Sequence, residues 1–246
     1  MVYALSDIHG QSKAFFDILQ QINFKDEDEL YILGDIIDRG PRAFEVFEYI
    51  KDKPNIHLLM GNHEKMMLNF LDSMGEDINY NSEKHYPSFV RSLYRLWIGN
   101  GGMITYDYLL EQSKEYQKDF IDRMRQLPFY KIIEVNNQKF ILCHGRPVFY
   151  DLKGIENPTI TDMLDALTIA PDYEILWNRE LWSQHIPEGY TVVHGHSPVQ
   201  YAFGEDNITK YSYNEIINID CGCAGKYRLG CLRLDDMKEF YSSKMI

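Results

Sequence analysis

Between Val2 and Met60 short apolar runs alternate with stretches whose apolar side chains return every three or four positions, and that alternation restricts the fold more than any other feature of the chain. The runs are Val2 to Leu5, Leu30 to Leu33 and Ile56 to Met60. Between them Phe15, Phe16, Ile18, Leu19 and Ile22, then Phe44, Val46, Phe47 and Ile50, recur at helical spacing. The order strand, helix, strand, helix, strand predicts an α/β fold built on a parallel sheet. In open sheets of that kind ligands gather outside the carboxyl ends of the strands, so the residues that follow each run are the first candidates for function.

Those residues are able to hold metals. Asp7-Ile8-His9-Gly10 follows the first run, Gly34-Asp35-Ile36-Ile37-Asp38-Arg39-Gly40 the second and Gly61-Asn62-His63-Glu64 the third. Farther on, His144-Gly145 follows Phe140 to Cys143, and His194-Gly195-His196-Ser197-Pro198 follows Thr191 to Val193. Carboxylate, imidazole and amide oxygen with no obligatory sulfur suit a pair of borderline-hard divalent ions, which can clamp the attacking and leaving oxygens of a phosphoryl displacement. Each cluster also has a plainer reading. Asp7 can cap a helix beginning near Gln11, Asn62 can cap the next helix, the Gly34 to Gly40 loop can be a turn with a surface ion pair, and His144 can be structural. Five such coincidences at strand ends favour one shared site.

From Glu64 the pattern changes. Helical segments are predicted around Lys65 to Ser73, Ser88 to Ile98 and Gln117 to Leu127, with a looser stretch from Asn79 to Pro87. A strand pair follows, Phe129 to Val135 and Lys139 to Cys143, joined by Asn136-Asn137 as a tight hairpin turn. Late strands at Thr191 to Val193, Ile216 to Ile219, Gly230 to Leu234 and Glu239 to Ser242 suggest a second, partly antiparallel sheet. No repeat or flexible linker divides the 246 residues, so residues 1–246 are expected to form a single domain with a helical insertion over roughly 64–127.

Composition narrows the partners. Net charge -12 argues against a broad surface that tracks nucleic acid, and an anionic substrate then needs the local charge that bound cations supply. The start of the chain carries no basic stretch before a long apolar core, and no run of about 18 apolar residues occurs, so neither a signal peptide nor a membrane span is expected. A cytoplasmic setting follows by default. Cys143, Cys221, Cys223 and Cys231 lack paired ligand spacing and are expected to be buried free thiols, with a soft-metal or redox role around Cys221-Gly222-Cys223 as the lesser reading.

Taken in order, the five clusters resemble the motifs of the calcineurin-like metallophosphoesterases, and among them the phosphoprotein phosphatase family. Trp97-Ile98-Gly99-Asn100-Gly101-Gly102 and Leu176-Trp177-Asn178-Arg179 resemble the bacterial and bacteriophage branch of that family, which includes phage lambda phosphatase. The resemblance implies a four-layer αββα sandwich with a helical insertion. It implies two divalent metal ions, Mn²⁺ first and Fe, Zn, Ni or Co as alternatives. Asp7 and His9 would hold the first ion, Asp35 would bridge both, and Asn62, His144 and His196 would complete the second. A bridging hydroxide would attack phosphorus in line, His63 paired with Asp38 would protonate the leaving oxygen, and Arg39 and Arg179 would grip the phosphate.

Two departures from the family pattern bear on this assignment. Arg146-Pro147 stands where eukaryotic members carry a second glycine, and His194 is an extra imidazole that can exchange roles with His196. The implied substrate is a phosphorylated protein or small phosphoester, cleaved by a serine/threonine or dual-specificity phosphatase, with neither nucleic acid nor membrane as partner. Symmetrical diadenosine tetraphosphate hydrolase is the alternative, and a non-enzymatic metal-binding scaffold ranks last because Asp38 and His63 are both present.

Overall fold

The computed structural model describes residues 1–75, 86–145, 159, 161–162, 165, 172–179, 189–211, 215–225 and 227–244. The opening alternation is realised as β1 (Val2–Leu5), α1 (Ser12–Gln21), β2 (Glu29–Ile32), α2 (Ala43–Ile50) and β3 (Ile56–Leu58), with β2 parallel to both β1 and β3. The third strand is shorter than the apolar run predicts.

The insertion comprises α3 (Asn62–Met74), α4 (Ser88–Trp97), a π-helical turn at Ile98–Gly102, α5 (Met103–Leu110) and α6 (Lys114–Arg125). Helix α5 escapes the periodicity argument because its pattern is reversed. Thr105 is fully buried while Met103 and Ile104 are exposed. Helix α6 starts before its first apolar residue because the Ser113 side chain caps it, accepting from Tyr116 N at 3.2 Å. Most of the stretch from Asn79 to Pro87 lies outside the described residues.

The second sheet holds β4 (Tyr130–Val135), β5 (Gln138–Cys143), β6 (Tyr190–His194), β7 (Thr209–Tyr211) and β8 (Ile216–Asn218) in the order β4-β5-β6-β8-β7. The hairpin between β4 and β5 turns at Asn136 and Asn137, both at positive φ (51° and 66°), as a type I′ turn demands. Short helix α7 (Asp172–Trp177) packs on this sheet through Ile175.

The last two strands correct the expectation. β9 (Gly230–Arg233) and β10 (Lys238–Tyr241) join the first sheet, in the order β10-β9-β1-β2-β3, with β9 antiparallel to β1. Both faces of β9 are apolar, Cys231 turning to the helices and Leu232 to the other sheet, so the strand is stable only where both faces are covered.

Strand periodicity divides the core into three slabs. Tyr3, Leu5, Leu30 and Ile32 face the helices, among them the insertion residues Phe70, Trp97, Tyr106 and Phe120. Their neighbours Ala4, Tyr31 and Leu33 face Phe140, Leu142, Val193 and Ile217 of the second sheet. Ile141, Cys143, Val192 and Ile216 line the outer side with Ile175. Helix, sheet, sheet, helix is therefore the layering, and the strand ends of both sheets open on one side. Among the described residues no helix is long and apolar enough to cross a membrane.

Candidate metal centre

The strand ends bring the five sequence clusters together on strained backbone. Asp7 (φ 56°), His9 (44°), Asp35 (55°), Asp38 (69°), Arg39 (63°) and His196 (66°) all adopt left-handed conformations that non-glycine residues seldom take, and such strain collects at functional sites. The loops after β1 and β2 hold each other in this shape, with Asp7 N bonded to Gly34 O at 3.3 Å and His9 N to Asp35 O at 2.9 Å. Asp7 is not a helix cap. The N-cap of α1 is Gln11, and α3 is capped by Gly61 rather than Asn62.

Asp35 stands at the centre. Its Oδ1 accepts from His63 N at 2.9 Å, which turns Oδ2 toward His9 Nε2 and His144 Nε2, each 3.4 Å away. Two groups of metal-capable side chains result, His9 with Asp35 and His63, and Asp35 with His144 and His196, so Asp35 belongs to both. Asp7 points its Oδ1 at His9 Nε2, 4.0 Å away, while Ser6 Oγ at 2.5 Å and His196 N at 2.8 Å hold its Oδ2. Asn62 Oδ1 lies 2.9 Å from His144 Nε2 and 3.0 Å from His196 Nδ1. Close approach excludes side chains here: a Cβ on Gly61 would come within 2.2 Å of Asp35 Oδ1, and one on Gly195 within 2.3 Å of Asp7 Oδ2.

The donor set fits cations. His144 Nδ1 is 2.7 Å from Leu33 O and must carry the proton, because a carbonyl only accepts. The neutral ring then directs its Nε2 lone pair at Asn62 Oδ1 and Asp35 Oδ2, so three lone-pair atoms converge. His9 repeats the arrangement, with Nδ1 on Ile37 O at 3.0 Å and Nε2 facing Asp35. Without cations the buried carboxylates recruit protons instead. Burial would lower the pKa of His144, but Asp35 and then Asp7 outweigh it and raise it to about 10. Burial, then the His144 charge, pushes His196 down to about 2. Ligating imidazoles must be neutral, so metal binding here displaces protons.

His63 is within reach of the first group, yet both of its nitrogens are engaged. Nδ1 donates to Asp38 Oδ2 at 2.6 Å and Nε2 accepts from Arg39 Nη2 at 2.8 Å, while Arg39 Nη1 lies 2.9 Å from His9 Nε2. With His63 so engaged, Asp7, 4.0 Å from His9 Nε2, is the further carboxylate beside His9 and Asp35. The insertion clasps Asp38 and Arg39: Trp97 Nε1 donates to Asp38 Oδ2 at 2.9 Å, Thr105 Oγ1 to Asp38 Oδ1 at 2.6 Å, and Arg39 N to Gly101 O at 3.0 Å. Glu64 shapes the neighbouring loop, its Oε2 accepting from Asp35 N at 2.9 Å and Gly61 N at 3.1 Å and its Oε1 from Ile36 N at 2.9 Å.

The calcineurin-like phosphoesterase family profile matches residues 1–221 of the 246. The chain belongs to that family. Along its length this phosphoesterase is similar to the symmetrical bis(5'-nucleosyl)-tetraphosphatase of Chromobacterium violaceum, at 23% identity over 97% of this chain and 94% of that protein. A bis(5'-nucleosyl)-tetraphosphatase of Salmonella newport is 37% identical over 68 residues, which span 27% of this chain and 24% of that one. The crystal structure of a provisionally assigned diadenosine tetraphosphatase superposes with a TM-score of 0.61 at 19% identity, covering 98% of this chain and 91% of the other.

In this phosphoesterase the ligand groups open into a cavity of about 480 Å³ lined by Arg39 and Arg179 as well as Asp7, His9, Asp35 and His196. Arg179 Nη1 donates to His196 O at 2.9 Å, which fixes the guanidinium at the rim. His196 joins Asp35 and His144, whereas His194 turns Nδ1 to Gly195 O at 3.0 Å and belongs to neither group. Arg146 lies outside the described residues. All four cysteines are buried and free, and burial pushes the Cys223 thiol up to about 12. Sequence reasoning quoted Glu64 and Trp97 as motif members without their supporting roles, and missed Thr105 and also Asp220, a buried carboxylate on the cavity wall whose pKa burial and then Asp7 push well above the usual range.

Proposed function

We propose that the protein is a metal-dependent hydrolase that cleaves a bis(5'-nucleosyl) tetraphosphate symmetrically, into two nucleoside diphosphates. The observation that carries the chemistry is the single oxygen Asp35 Oδ2, set 3.4 Å from an imidazole nitrogen on either side. Asp7, His9 and Asp35 would hold one divalent ion and Asp35, Asn62, His144 and His196 the other, with Mn²⁺ the first metal to try. Bound there, the two ions supply Lewis-acid charge and an activated water.

The chain's own residues do the rest. Arg39 and Arg179, at the cavity wall, grip phosphate oxygens through forked donors. Asp38 fixes the His63 ring through Nδ1, and once Arg39 turns from Nε2 to the phosphate a protonated Nε2 can give its proton to the leaving oxygen. Burial opposes that protonation, but Asp35 and Asp38 outweigh it and raise the His63 pKa.

The sequence expectation put a phosphorylated protein ahead of a dinucleoside polyphosphate; the near end-to-end likeness to the Chromobacterium violaceum enzyme supports the reverse order. Mn²⁺-loaded protein should be offered diadenosine tetraphosphate beside phosphoserine, phosphothreonine and phosphotyrosine peptides. ADP as the sole nucleotide product, formed at a higher kcat/KM than any peptide is dephosphorylated, is the expected result. A faster peptide, or ATP with AMP as products, would refute the proposal.

A further inference from the structure

The cavity has a lip for which bond cleavage finds no use. Tyr201 is 87% exposed and Tyr227 41% exposed, and both line the same cavity as His196 and Arg179. The short helix Gln200–Phe203, which carries Tyr201, and the turn before Tyr227 are stitched together. Gln200 Nε2 donates to Cys221 O at 2.6 Å, Val199 N to Asp220 O at 3.0 Å and Asn218 Nδ2 to Ser197 O at 2.7 Å. Tyr227 folds back over its own loop, its N bonded to Gly222 O at 3.4 Å and its ring against Gly225, where an added Cβ would meet a ring carbon at 3.4 Å.

Two large rings therefore stand in water on braced backbone, next to the place where phosphate is handled. A preorganised ring loses little freedom when something stacks on it, and stacking accepts any base because every base has a π-face. Charge selects among occupants. The chain carries net charge -12, so an uncharged planar group is accepted more readily than an acidic peptide.

We propose that Tyr201 and Tyr227 form a nucleoside subsite, stacking the base of a nucleotide whose phosphates lie at the Asp35 groups. The subsite rests on the hydrolase reading above and names the part of the substrate that lies beyond the phosphates.

The test uses ligands that cannot be cleaved. Calorimetry on Mn²⁺-loaded protein compares α,β-methylene-ADP with methylenediphosphonate, which keeps the paired phosphonates and lacks the nucleoside. Wild type should bind the nucleotide at least tenfold more tightly, a difference of about 1.4 kcal/mol. The Tyr201→Ala/Tyr227→Ala protein should show a preference of about twofold or less, with its methylenediphosphonate affinity unchanged. The Tyr201→Phe/Tyr227→Phe protein should keep the wild-type preference, because the ring and not the hydroxyl stacks.

A preference that survives the alanine pair, or a parallel loss of methylenediphosphonate binding, overturns the subsite. So does tyrosine-dependent binding of a phosphopeptide with no nucleotide preference in wild type. A protein that leaves diadenosine tetraphosphate intact but shows the ring-dependent preference refutes the proposed reaction and keeps the subsite.

Discussion

Trp97→Phe tests whether the helical insertion positions the acid. Trp97 is fully buried, and its Nε1–H reaches the Asp38 oxygen that also takes the His63 proton, at 2.9 Å against 2.6 Å. Phenylalanine keeps a ring in the core and removes that donor. A hydrogen bond to a charged group contributes about 1.5–3 kcal/mol, and the smaller ring opens a gap beside Gly102 that costs about 1 kcal/mol more. A total of about 2.5–4 kcal/mol corresponds to a fall in Tm of roughly 5–16 °C for a chain of this size.

The catalytic consequence has a sign. Asp38 Oδ2 with one donor fewer holds the His63 Nδ1–H more strongly, which favours the protonated ring. An acid must be protonated to act, so activity is present below its pKa and lost as pH rises through it. The alkaline limb of kcat/KM should move to higher pH, while the plateau falls about tenfold from poorer positioning. The assay is a pH–rate profile with a small alkyl phosphate on Mn²⁺-loaded protein at a temperature where both proteins are folded. A lowered Tm with an unmoved limb would make the indole a packing residue only and refute the reasoning.

Three further outcomes are expected. His63→Asn should slow an alkyl phosphate by about 10²- to 10⁴-fold and diadenosine tetraphosphate by clearly less, because a departing diphosphate oxygen needs less protonation than an alkoxide; equal losses in steady-state kinetics would contradict the acid role. Glu64→Gln should turn amide protons toward backbone N–H groups that now meet carboxylate oxygens, costing about 2 kcal/mol or more by denaturant titration and loosening bound metal; wild-type stability with full metal content would contradict it. A chelator should lower Tm: at free metal a thousandfold above Kd the ions stabilise by about 4.1 kcal/mol, or roughly 8–16 °C, and a Tm indifferent to chelator and Mn²⁺ would show that no metal is held.

Much of this arrangement was legible because local pattern and function coincide at the strand ends. Alternation in Tyr3-Ala4-Leu5 and Leu30-Tyr31-Ile32-Leu33 reports two covered faces, and polar ligands directly after such runs must surface together. The placement of β9 and β10 was not legible, since a strand's own residues report that both faces are buried and not which sheet buries them. The supporting residues were hidden for a related reason. Trp97 and Thr105 reach Asp38 across 59 and 67 residues of chain; in sequence Trp97 reads as the end of a helix and the start of a motif, and Thr105 falls between the predicted helices. Glu64 sat in plain view beside His63, but its work is to gather backbone N–H groups from the Asp35 loop, which only the folded chain brings near. Asp220 was masked by Cys221 and Cys223, whose burial as free thiols leaves the carboxylate as the residue of interest in that turn.

The central claim is that one carboxylate oxygen serves two ions. Anomalous diffraction from Mn²⁺-loaded crystals tests it most directly. The account predicts two peaks, one against Asp7 and His9 and the other against Asn62, His144 and His196, with Asp35 Oδ2 touching both. A single peak, a second ion held by His194, or an Asp35 that touches only one ion would contradict it.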